Sequence, residues 1–203
     1  MKVLAISGSL RADSYNTALA RAAAELVPDD VEVELYDGLG LLPPYDQDLD
    51  QPGSDPPEPV HELRDRIEAA DALLVVTPEY NGSVPGVLKN AIDWASARHR
   101  GSSFAGKTVA IAGATTGQYG AIWAQQDLRR VLGIAGARVL PEEFPLSRAQ
   151  EAFDEHGQLR SALHEERLRS HLAALVAEAE PAPSAVAQND EGPREAALHL
   201  VRR

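Results

Sequence analysis

Residues 73–76 read Leu-Leu-Val-Val, four apolar side chains in a row with no polar residue between them. A strand with one wet face alternates apolar and polar residues, whereas a strand apolar at every position is covered on both faces. Val109-Ala110-Ile111-Ala112 repeats the pattern. Working outward, strand-like runs at 2–7, 31–36, 72–77, 107–112 and 137–140 alternate with helical spacing at about 17–27, 60–70, 85–97, 121–132 and 158–178, the last a long helix with a polar face. Five strands separated by helices predict an α/β, doubly wound parallel sheet with helices on both faces.

A chain of 203 residues buries a core without metal or disulfide staples. One domain is expected over 1–180. From Pro181 onward the composition turns to Ala, Pro, Glu and Ser, which reads as a disordered tail over 181–203. No apolar run approaches the roughly 18 residues of a membrane span. The sequence passes almost directly from Met1 into strand pattern, so a cytoplasmic protein is expected. With no cysteine there is no thiolate nucleophile, disulfide or Cys-ligated metal, and redox chemistry requires a bound cofactor. The net charge of −12 argues against nucleic acid, so an anionic ligand needs a locally arranged site. Six histidines are scattered without H-E-x-x-H spacing; surface positions are expected for them, His164 and His171 included, and no metal site. The acidic, proline-rich stretch between Asp37 and Pro59 is too long for a simple connection and reads as a lid or an interface arm, with a loosely attached insertion as the alternative. Internal repeats are absent.

In an open parallel sheet the ligand lies outside the carboxyl ends of the strands. The loops after the first, third and fourth strands should therefore meet; they read SGSLRADSYN (7–16), TPEYNGSVPG (77–86) and GATTGQYGA (113–121). In the first, Gly8 allows a tight exit from the strand, and Ser14 or Asn16 caps the following helix. Backbone N–H groups, the Ser9 and Ser14 hydroxyls, the Asn16 amide and the Arg11 guanidinium make a cradle for a phosphate dianion. Asp13 is a discordant charge expected to point away. Neither G-x-x-x-x-G-K-[ST] nor G-x-G-x-x-G occurs after the first strand, which leaves a monophosphate. In the second loop Gly82 and Gly86 let backbone approach a flat ligand, Asn81 offers donor and acceptor, Pro85 suits a helix N1 position, and Tyr80 faces the ligand or packs in the core. Thr115, Thr116 and Gly117 of the third loop offer further donors to a ring. One phosphate and one planar ring describe FMN.

These three segments, with TPEYNGSVPGVLKNAIDW and GATTGQYGAIWAQQDLR quoted in full, resemble the NAD(P)H-dependent FMN reductase family, flavodoxin-like proteins that include bacterial quinone, azo-dye and chromate reductases. The likeness spans about residues 2–175. It implies a five-stranded sheet of order 2-1-3-4-5, bound FMN, and NADPH or NADH as co-substrate. It further implies that Ser9, Arg11, Ser14 and Asn16 bind the FMN phosphate. Pro78, Glu79, Tyr80, Asn81 and Gly82 would hold the ring and ribityl side, and Thr115, Thr116 and Gly117 would complete the ring site.

The resemblance also implies a homodimer or homotetramer, with Tyr80 and the helix from Pro85 to Trp94 facing a partner subunit; within that helix Leu88, Ile92 and Ala95 are core by their spacing. Ala121-Ile122-Trp123, bulkier than the family's small residues there, would narrow the ring pocket or reshape the dimer contact. Arg98, His99 and Arg100 either attract the phosphates of the nicotinamide cofactor or complement a helix C-terminus. The expected activity is transfer of hydride from NAD(P)H to FMN, with no catalytic side chain, followed by two electrons to a quinone-like, azo, chromate or flavin acceptor. Alternatives are a two-component reductase that supplies reduced flavin to a monooxygenase, a flavodoxin-type electron carrier, and a flavin-binding regulatory protein.

Overall fold

The computed structural model describes residues 1–96 and 101–179. Five strands, β1 (Lys2–Ser7), β2 (Glu32–Tyr36), β3 (Ala72–Val76), β4 (Thr108–Ala114) and β5 (Arg138–Leu146), form one parallel sheet in the order β2-β1-β3-β4-β5. This is the expected flavodoxin-like order. Between and after them lie α1 (Tyr15–Leu26), α2 (Glu58–Ala69), α3 (Gly86–Ala95), α4 (Ile122–Ile134), the single turn α5 (Ala149–Ala152) and α6 (Ala162–Ala179). The chain order reverses between β1 and β3, which puts the switch point beside the loop after β1.

The Leu73–Val76 run divides by pleat. Leu73 and Val75 join Leu4, Ile6, Val109 and Ile111 in a core under α2, α3 and α4, while Leu74 and Val76 join Val3, Ala5, Ala110 and Ala112 under α1 and α6. The second face is rich in alanine, including Ala20 and Ala23 of α1. Leu88, Ile92 and Ala95 are buried, as their spacing requires.

Several boundaries differ from those expected. β5 continues to Leu146 through Pro141, Glu142, Glu143 and Pro145, residues that do not read as strand; it lies at the sheet edge, where proline is tolerated, and its register shifts between Val109 and Ile111 of β4. α6 begins at Ala162 because Phe153 and Leu159 first pair in an antiparallel bridge. Pro85 stands at the N-cap of α3 and not at its first turn. The surface position expected for His171 is wrong: the side chain is buried, its Nε2 lies 3.0 Å from the Ile111 carbonyl, and α6 turns a stripe of Leu168, His171, Leu172 and Leu175 onto the sheet.

The stretch between Asp37 and Pro59 is anchored. Leu39 and Leu42 enter the core, and the Pro43 carbonyl accepts from Trp94 Nε1 at 2.8 Å and Asn90 Nδ2 at 2.9 Å. Asp50 and Arg64 form a buried ion pair at 2.8 Å, and Arg64 Nε also donates to the Trp94 carbonyl at 2.9 Å. Arg98, His99 and Arg100 and the 181–203 tail lie outside the described residues. Among the described residues no helix is long and apolar enough to cross a membrane, and no group of three or more His, Asp or Glu is placed to hold a metal ion.

Candidate active site

The three loops meet. Gly8 N–H donates to the Val76 carbonyl at 2.8 Å, and a Cβ on Gly8 would stand 2.9 Å from Leu88 and 3.2 Å from Pro78, so this glycine permits the first loop to lie against the second. Ser14 is the N-cap of α1: its Oγ accepts from Asn16 N at 3.2 Å and Thr17 N at 3.4 Å. The cap uses the hydroxyl only as an acceptor, so its O–H remains able to donate to an anion. Arg11, exposed, is held by Nη2 on the Asp13 carbonyl at 2.5 Å, and Ser9 Oγ accepts from Arg11 N at 3.4 Å.

Asn16 is committed elsewhere. Its Nδ2 donates to the Ala114 carbonyl and its Oδ1 accepts from Ala114 N, both at 2.9 Å, so the buried amide pins the start of α1 to the end of β4. It shapes the cradle while lining the cavity, and the second hydrogen on Nδ2 is not used by Ala114.

In the second loop Tyr80 and Ser83 exchange backbone hydrogen bonds at 3.1 Å around Asn81 and Gly82, whose φ angles are 53° and 73°. Two left-handed residues at a two-residue tip make a type I′ hairpin, for which Asn-Gly is the favoured pair. Glu79 Oε2 accepts from Trp123 N at 3.0 Å and Ala124 N at 3.1 Å, capping α4 from outside its own chain segment. The N-cap residue of α4, Ala121, has φ 61° and no side chain able to cap. In the third loop the carbonyls of Thr115 and Gly117 accept from Ala149 N and Arg148 N at 2.9 and 3.0 Å. Gly113 must be glycine, because a Cβ there would stand 2.8 Å from the Thr77 carbonyl oxygen.

A cavity of about 200 Å³ lies where the loops converge, lined by Ser9, Arg11, Ser14, Asn16, Pro78, Glu79, Tyr80, Thr115 and Thr116. Asn81, Gly82 and Gly117 sit in the same loops without lining it. Tyr15 and Ala114 also line it and were not singled out from the sequence; Tyr15, the first residue of α1, stacks on Phe153 at 6.0 Å. Tyr80 is not a core residue, being 52% exposed. Ile122 and Trp123 stay out of the cavity, and Trp123 lies edge-on to Tyr119 at 4.9 Å. The donor set fits FMN: hydroxyls, a guanidinium and a helix start on one side, backbone-rich loops on the other.

Comparison with known proteins agrees. A family model described as NADPH-dependent FMN reductase matches residues 1–151. The chain belongs to that family. A family member from Pseudomonas aeruginosa, an NAD(P)H-dependent FMN reductase, is 46% identical over 176 residues, covering 86% of this chain and 93% of the relative. A 2-hydroxy-1,4-benzoquinone reductase from a Burkholderia species is 48% identical over 131 residues, covering 64% and 69%. Among solved structures, a flavoenzyme NAD(P)H:acceptor oxidoreductase from Paracoccus denitrificans superposes with a TM-score of 0.79 at 37% identity, covering 88% of this chain and 97% of that one.

Proposed function

We infer that this protein is an FMN-dependent NAD(P)H oxidoreductase that delivers two electrons to a quinone-like acceptor. The observation that carries the reading is the convergence of the three loops on one cavity at the switch point, within a chain of the FMN reductase family. Quinone is favoured among acceptors because relatives named benzoquinone reductase and quinone reductase share 48% and 37% identity with the chain.

FMN, when bound, supplies the chemistry, accepting hydride from the nicotinamide and passing two electrons to the acceptor. The chain supplies placement. Arg11 and the Ser9 and Ser14 hydroxyls bind the phosphate at the start of α1. Pro78, Tyr80 and the Thr115–Thr116 backbone fix the ring, with the Asn81–Gly82 hairpin stiffening the second loop. Glu79 Oε2 accepts from two α4 amides and the Asn16 amide is bonded to Ala114, so both help hold the loops together. Alignment and fixed amides near the ring stand in place of an acid–base pair.

Exposed Tyr80, Tyr119 and Trp123 form an aromatic surface beside the site, which supports a homo-oligomer with the flavin near a subunit boundary. The cytoplasm, where reduced nicotinamide cofactors are supplied, is the compartment this activity requires. Two-substrate steady-state kinetics on FMN-loaded protein test the reading. Parallel reciprocal plots with NAD(P)H and benzoquinone support alternate use of one site; absence of turnover with either nucleotide favours the electron-carrier alternative.

A further inference from the structure

A second cavity, of about 430 Å³, adjoins the loop after β4 and shares no residue with the first. Gln118 belongs to that loop, and Arg148, on the cavity wall, donates its backbone N–H to the Gly117 carbonyl at 3.0 Å. The rest of the polar wall comes from Ser147, Arg160, Ser161 and His164, with Glu151 as the opposing carboxylate. Two guanidinium groups, an imidazole, two hydroxyls and an amide face one acid. In a chain of net charge −12 this is a local reversal of sign.

One further observation points to a ligand. Arg160 is fixed from behind, its Nε donating to the Phe153 carbonyl at 2.9 Å, which leaves the terminal nitrogens of the fork for another acceptor. Forked guanidinium donors with hydroxyls and an imidazole match a phosphate dianion better than a carboxylate, whose two oxygens one arginine satisfies. The volume exceeds that of a phosphate alone, with room for the sugar that bears it.

We propose that this cavity is a phosphate subsite, distinct from the cradle on the loop after β1, and that it takes the 2′-phosphate of NADPH. The assignment to NADPH rests on the oxidoreductase reading above; the phosphate chemistry does not. A free small phosphoester presents the same group and is the other source. The subsite gives the chain a preference for NADPH over NADH, set by residues of the β5–α6 connection.

The test is calorimetric titration of the FMN-loaded protein with 2′,5′-ADP, 5′-ADP and inorganic phosphate, for the native chain, R148Q and R160K, beside steady-state kinetics with NADPH and NADH. The expected result is tighter binding of 2′,5′-ADP than of 5′-ADP, a roughly tenfold loss of that binding in R148Q, and a matching rise in KM for NADPH. The kcat with NADPH and both constants with NADH stay within about twofold, and R160K, which keeps the charge and loses the fork, weakens binding in part. Arg148 is exposed, so R148Q carries the test alone if R160K does not fold. Binding of inorganic phosphate that depends on Arg148, with an unchanged NADPH-to-NADH ratio, upholds the subsite and overturns the cofactor assignment in favour of a free phosphoester. Failure of both 2′,5′-ADP and phosphate to bind overturns the subsite. If neither nucleotide reduces the flavin, the oxidoreductase reading and the NADPH assignment fall together, while the two titrations still decide the subsite.

Discussion

Glu79, in the loop after β3, caps α4 through the backbone N–H groups of Trp123 and Ala124, at 3.0 and 3.1 Å. One carboxylate thus fastens the second loop of the site to the helix that follows the third. A negative group at a helix N-terminus satisfies orphan donors and complements the dipole. E79A should therefore cost about 1 kcal/mol of stability and also weaken FMN binding, since both loops move. E79Q keeps an acceptor and should lose less. Thermal melts with and without FMN, read beside FMN titrations, check both; an E79A chain that melts normally would remove the capping role.

The two-way hydrogen bond between Asn16 and Ala114 predicts a different pattern. In N16D an oxygen replaces Nδ2 and faces the Ala114 carbonyl, leaving that buried acceptor unpaired and cancelling a donor. A loss of about 1–3 kcal/mol is expected by urea unfolding of the FMN-free protein. Normal unfolding with poor FMN binding would move Asn16 from scaffold to ligand contact.

Arg11 should behave in the opposite way. Its side chain is exposed and makes one short-range bond, to the Asp13 carbonyl. R11A is expected to leave unfolding unchanged, to raise the FMN dissociation constant by about tenfold or more, and to leave the spectrum of the flavin still bound unaltered. Unchanged FMN affinity would take the phosphate cradle away from this loop.

His171 gives the fold a pH dependence. Burial holds its pKa below the ordinary 6.5, against smaller upward pulls from its bond to the Ile111 carbonyl and from Glu142 and Glu143, with Arg129 adding to the lowering. Between the folded pKa and about 6.5 the unfolded chain takes up a proton that the folded chain does not, so this contribution to stability is complete above 6.5 and declines as pH falls below it. Melting temperatures measured from pH 8 to pH 5 should show a drop in the native chain that is smaller in H171Q. Equal drops would assign the acid sensitivity to other groups.

The parallel sheet was legible because β3 and β4 lie in its middle, where both faces are dry and the runs Leu73–Val76 and Val109–Ala112 are apolar throughout. β5 was legible only in its first residues, since an edge strand keeps polar residues and prolines that a central strand excludes. The three loops were readable as a set, and their glycines and hydroxyls gave the phosphate and ring logic. The division of labour inside them was not. Asn16 and Glu79 have the chemistry of ligand groups, and only contacts with Ala114, 98 residues away, and with Trp123, 44 away, show that they also hold the loops together. His171 was misread for a related reason: the charged residues around it on α6 mask a buried stripe that only the packing against the sheet reveals.

The central claim is that flavin held by these loops takes electrons from a nicotinamide cofactor. Its most direct test is the visible spectrum of FMN-loaded protein, mixed without oxygen first with NADPH and, in a separate sample, with NADH. Prompt bleaching straight to the two-electron-reduced flavin is the predicted result. Flavin that stays bound and oxidised with both nucleotides would contradict it.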